Sequence, residues 1–179
     1  MNEFDDHLTP AMTGRTRTSR FRTIWVILVP LTAILFQVYL PRFIETLSYL
    51  ELPLLTTVYF SLMRRQPVAG GLIGASIGLV QDALSQNPLG LFGIVKTLVG
   101  YFSASVSQRF DVQNHALRFI LSFFFFLFHQ FFFWLLSRAL LGQQIDFNTS
   151  QTVIFAFLNA VVAVPLFIVL DKLKIEEER

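Results

Sequence analysis

The segment Val68-Ala-Gly-Gly-Leu-Ile-Gly-Ala-Ser-Ile-Gly-Leu-Val-Gln-Asp-Ala-Leu84 carries a single charged side chain, Asp82. An apolar stretch of this length reads as a membrane-crossing helix, which needs about 17–25 residues. Its glycines have helical spacing. Gly70, Gly74 and Gly78 recur every four residues and fall on one face. Small residues in that pattern let a second backbone approach closely. The next apolar segment, 89–106, begins Leu89-Gly-Leu-Phe-Gly-Ile-Val-Lys-Thr-Leu-Val-Gly-Tyr101 and repeats the device, with Gly93, Thr97 and Gly100 on one narrow face. Only Ser85-Gln-Asn-Pro88 separates the two segments. They therefore make a hairpin, with Pro88 and Gly90 at its turn. Its two glycine faces pack on each other or on a common third helix.

Outward from the hairpin, further apolar segments lie at 24–40, 52–63, 119–141 and 152–170. Of the 179 residues, 54% are hydrophobic and only 15% charged, against about 25% charged in an ordinary soluble domain. This composition excludes a disordered chain, a nucleic-acid-binding domain and a soluble enzyme. Cysteine is absent, which removes disulfides, thiolate metal sites and thiol nucleophiles. His7, His115 and His129 are far apart and show no metal-ligand spacing. No cofactor is expected.

The expectation is an all-α polytopic membrane protein with six transmembrane helices over residues 24–170. A basic arm, 1–23, precedes them and a charged tail, 171–179, follows. The second segment, Leu52 to Met63, is short: at 1.5 Å per residue it covers roughly 18 Å of a hydrocarbon core about 30 Å thick. Charge nevertheless favours a crossing there. With six crossings and both termini cytoplasmic, Arg15, Arg17, Arg20, Arg22, Arg64, Arg65, Arg109, Arg118, Lys172, Lys174 and Arg179 all fall inside. Only Arg42 and Arg138 fall outside, a strong positive-inside bias. The arm reads as an orientation signal that could also attract anionic headgroups, and it has no cleavage site after the first apolar segment.

Two charges sit within the hairpin. Asp82 lies in the last turn of its first helix, and Lys96 roughly 10 Å deep in its second. A lone basic residue in the bilayer is costly, so an Asp82–Lys96 pair that fixes the hairpin is expected. Gln37, His129, Gln130 and Asn159 read as interhelical hydrogen-bond formers, and Pro165 as a kink. The phenylalanines between Phe119 and Trp134 read mostly as lipid-facing filler. Gly74-Ala-Ser76-Ile-Gly78 matches the nucleophile-elbow pattern, but that motif needs a strand before it. A rhomboid-type intramembrane protease pairing Ser76 with His129 is a remote alternative, because Ile77 stands where such enzymes keep a glycine.

The run Gly74-x-x-x-Gly78-Leu79-x-x-Asp82, followed by Pro88-Leu89-Gly90 and Gly100-Tyr101, resembles the core of the bacterial rod shape-determining protein MreD family. The resemblance implies a non-enzymatic scaffold of the cell-elongation (peptidoglycan synthesis) machinery in the inner membrane. It implies binding to MreC and, through it, association with MreB, the polymerase RodA and its transpeptidase partner. That family is also similar to the six-helix substrate-binding subunits of energy-coupling-factor vitamin transporters. Solute uptake is therefore the alternative function.

Overall fold

The computed structural model describes residues 23–39, 41, 48–85 and 88–174. Most of the basic arm, Arg42 and the end of the charged tail lie outside the described residues. Six helices follow in order: α1 (Thr23–Tyr39), α2 (Leu52–Arg64), α3 (Pro67–Leu84), α4 (Leu91–Val106), α5 (His115–Leu141) and α6 (Thr149–Asp171).

The helix ends follow from local chemistry. α2 and α3 each carry a proline in the first turn, where its missing N–H goes unused. Arg65 takes the left-handed conformation that turns α2 sharply into α3. Asn114 caps α5 by accepting from the Ala116 and Leu117 amides, and Asn148 caps α6 by accepting from that of Gln151.

α2 is the hub. Its residues Pro53 to Met63 are all buried, and α1, α3, α4, α5 and α6 all pack against it. Leu55, Val58 and Leu62 share a core with Val99, Phe125, Phe126, Ala156, Ala163 and Phe167. The phenylalanine run of α5 is accordingly divided. Phe125 and Phe126 are core residues, whereas Phe124 and Phe131 face outward.

The six-crossing expectation does not hold. Among the described residues, only α3, α5 and α6 are long and apolar enough to cross a membrane. The apolar parts of α1 (Ile24–Tyr39) and α4 (Leu91–Val106) are shorter. α2 has 13 residues, a rise of roughly 20 Å. Its apolarity has another cause: it is enclosed by protein on every side, the usual fate of an apolar run of that length. A charge tally reports which end of a bundle a residue belongs to and says nothing of helix length.

The bundle has two chemically different ends. One gathers Arg64, Arg65, Arg109 and Arg118 with the C-terminal end of α6, and there the Gln108 side chain donates to the Arg65 carbonyl at 3.0 Å. The other gathers Glu51, Asp82 and the hairpin turn.

Candidate functional site: the α3–α4 hairpin and its buried polar groups

The glycines of α3 and α4 meet face to face. A Cβ added to Gly74 would land on the Lys96 carbonyl, one on Gly78 on the Phe92 carbonyl, and one on Gly70 on the Gly100 carbonyl. The contact is reciprocal, since a Cβ on Gly100 would strike the Gly70 carbonyl. Of the two arrangements open to the sequence, the faces therefore pack on each other. At Gly93 the obstacle would be the Leu79 side chain, 2.9 Å away. Thr97 returns its hydroxyl to the Gly93 carbonyl at 2.6 Å. Ser76 lies away from this seam: it is exposed and bonds its own helix at the Leu72 carbonyl, while His129 is buried on α5. Ser76→Ala should therefore change stability by less than about 0.5 kcal/mol and leave membrane abundance unaltered, as read by immunoblot of membranes.

Asp82 has a different partner from the one expected. Its Oδ2 accepts from the amides of Gly90 (2.9 Å) and Gly93 (3.0 Å), and its Oδ1 from that of Phe92 (3.1 Å). Gly90, the residue just before α4, adopts a φ of 98° and offers no side-chain cap. Asp82 supplies that cap from the neighbouring helix. Its carboxylate satisfies first-turn donors that have no partner within α4 and sits at the positive end of the helix dipole. Asp82→Ala strands these donors in a buried place. It should cost about 2–3 kcal/mol, seen as a lower thermal midpoint in detergent, with Asp82→Asn less severe because one acceptor oxygen survives.

Lys96 is fully buried. No ion pair joins it to Asp82 among the described residues, and Asp82 reaches it only through longer-range charge. Its ammonium lies 3.9 Å from Glu51 Oε2, 3.5 Å from His129 Nε2 and 4.3 Å from the Phe92 ring centroid. His129 stacks in turn on Phe92 and Phe133. Glu51, at the start of α2, is held by its backbone: its N–H donates to Asn159 Oδ1 at 2.8 Å, and the Asn159 amide donates to the Tyr49 carbonyl. Burial pushes the Glu51 carboxyl above the ordinary carboxylate range, against the opposing pulls of Lys96 and of a hydrogen bond to Gln81. One cation thus ties α2, α4 and α5 together.

A second polar tie closes the basic end. Arg118, buried at the start of α5, donates to Asp171 Oδ2 at 2.6 Å and to the Val112 carbonyl at 2.8 Å. The Tyr59 hydroxyl of α2 donates to the other oxygen of Asp171 at 2.9 Å. Of these groups the sequence marks only Arg118, and for its charge. Asp171 lies 53 residues from Arg118, and no local spacing joins them.

The family model described as rod shape-determining protein MreD matches residues 19–174, a stretch that includes all six helices, the glycine seam and both polar ties. The chain belongs to the MreD family. It is thus a non-enzymatic, multi-pass inner-membrane protein of the cell-elongation machinery. No curated protein and no solved structure matches the chain. The likeness to the energy-coupling-factor transporter fold is therefore without support, and the MreD assignment rests on the family match. Among the described residues no group of three or more His, Asp or Glu side chains is placed to hold a metal ion.

Proposed function

We propose that this MreD protein holds the single-span protein MreC in the elongation complex, and through it MreB, RodA and the transpeptidase partner of RodA. The α3–α4 hairpin is the element that presents the docking face. Its construction carries the reading. Both glycine faces are spent on each other, so the hairpin is closely packed, while Leu72, Leu79, Ile94 and Tyr101 among its apolar residues point outward. A scaffold needs such an apolar face for a partner's helix. Co-purification of tagged MreC with the wild-type chain, reduced by bulky outward substitutions such as Leu79→Trp at unchanged abundance, is the expected result. Full recovery of MreC with every such variant overturns the assignment to this face.

The basic end of the bundle faces the cytoplasm in this reading, by the positive-inside rule. The chain has no cysteine of its own, so single substitutions report directly. In intact spheroplasts, Gln143→Cys should react with a membrane-impermeant maleimide and Gln66→Cys should not. Labelling of Gln66→Cys before lysis reverses the orientation.

A further inference from the structure

At the end opposite the basic one, α5, α6 and the segment between them enclose an open cleft of about 220 Å³. Its walls include four aromatic rings, Phe133, Trp134, Phe147 and Phe155. The rings are fixed in place. The Trp134 indole N–H donates to the Ile145 carbonyl at 2.8 Å, Trp134 packs on Phe147 with centroids 5.6 Å apart, and Tyr49 stacks on Phe155 at 4.2 Å. Asp146 is the one formally charged lining residue. Its carboxylate is exposed and makes no ion pair or hydrogen bond among the described residues. The first turn of α6 also opens here, but Asn148 already takes the Gln151 amide, so the helix end does not compete as an anion site.

Aromatic faces beside an unneutralised carboxylate favour an organic cation, because ring quadrupoles attract ammonium groups and the carboxylate supplies the counter-charge. This chain already uses the chemistry nearby: the Arg138 guanidinium lies 5.8 Å from the Trp134 ring centroid. Depth identifies the source of the cation. The cleft is lined by the segment that joins the ends of α5 and α6, two helices long and apolar enough to cross a membrane, and such a connection lies at the interface, where tryptophan is favoured. We propose that this cleft binds the alkylammonium headgroup of a phospholipid, of the ethanolamine or choline class.

The test uses the full chain in nanodiscs of phosphatidylglycerol containing a minority of phosphatidylethanolamine. Retained lipid is read by native mass spectrometry. Trp134 emission is read in a Trp25→Phe background, where Trp134 is the sole tryptophan. The wild-type chain should retain phosphatidylethanolamine in preference to phosphatidylglycerol and shift its Trp134 emission as the ethanolamine lipid is added. Asp146→Asn should weaken that retention about tenfold, whereas Asp146→Glu keeps it. Because Asp146 is exposed, both variants should fold, which circular dichroism checks. Equal retention of the two lipids, or undiminished selectivity in Asp146→Asn, overturns the proposal. So does glycerophosphoethanolamine moving Trp134 emission at the concentrations at which the lipid does, since the ligand is then a soluble amine.

Discussion

Gly74→Ala should prevent this protein from accumulating in the membrane. A methyl group is the smallest possible addition, yet here it meets backbone. The added Cβ would sit on the carbonyl oxygen of Lys96, with that carbonyl carbon only 2.6 Å away. A flexible side chain could move aside, but a helix backbone moves only if the whole of α4 shifts. Such a shift would pull Gly90, Phe92 and Gly93 off Asp82 and displace Lys96 from Glu51. Overpacking commonly costs about 1–3 kcal/mol, and coupling to those two sites places this case at about 3 kcal/mol or more. Gly71→Ala is the control. Its Cβ would meet Thr97 Cγ2 at an ordinary 3.7 Å, and replacing a helical glycine by alanine gains roughly 0.5–1 kcal/mol. Adjacent glycines should thus respond with opposite signs in thermal unfolding in detergent. Similar midpoints for the two variants would falsify the close seam.

Lys96→Met should be nearly as damaging, for an electrostatic reason. It leaves the Glu51 carboxylate without its cation and removes the neighbour of His129 Nε2. Breaking a buried pair from one side costs roughly 3–5 kcal/mol, whereas replacing both partners with neutral groups costs much less. Lys96→Met combined with Glu51→Gln should therefore recover part of the loss, and Lys96→Met combined with Asp82→Asn should recover none. Asp82 has its own employment at the start of α4, so neutralising it removes a cap without relieving Glu51. Recovery in the Asp82 double variant alone would mean that the sequence-based pairing was right and the Glu51 contact incidental.

Those two sites also mark how far the sequence could be read. The hairpin helices were legible nearly to the residue, 68–84 against Pro67–Leu84 and 89–106 against Leu91–Val106, because period-four glycines and a short turn are local signals. The burial of Asp82 and Lys96 was legible too, as both interrupt apolar runs. Their partners were not. Asp82 serves backbone amides, which carry no sequence signature, and Glu51 lies 45 residues before Lys96 with nothing in the spacing to connect them. The arginine–aspartate tie between α5 and α6 escaped for the same reason. The length of α2 was visible, but a charge argument outweighed it. Pro53 and the short run after it, interrupted by Thr56, Thr57 and Ser61, already described a helix made for a protein interior.

The enclosure of α2 also fixes an order of assembly. Most of what wraps it is made later in the chain: α3 and α4 pack along it most extensively, and Phe125 and Phe126 on α5 with Ala163 and Phe167 on α6 complete the enclosure. When α2 leaves the ribosome none of these exists. A 13-residue helix bearing Thr56, Thr57 and Ser61 cannot settle alone in a bilayer that demands about 20 apolar residues. α2 should therefore settle only together with the helices that follow it, the α3–α4 hairpin first, with α5 and α6 closing the core. The centre of this protein is thus a helix that takes its place only in the company of neighbours synthesised after it.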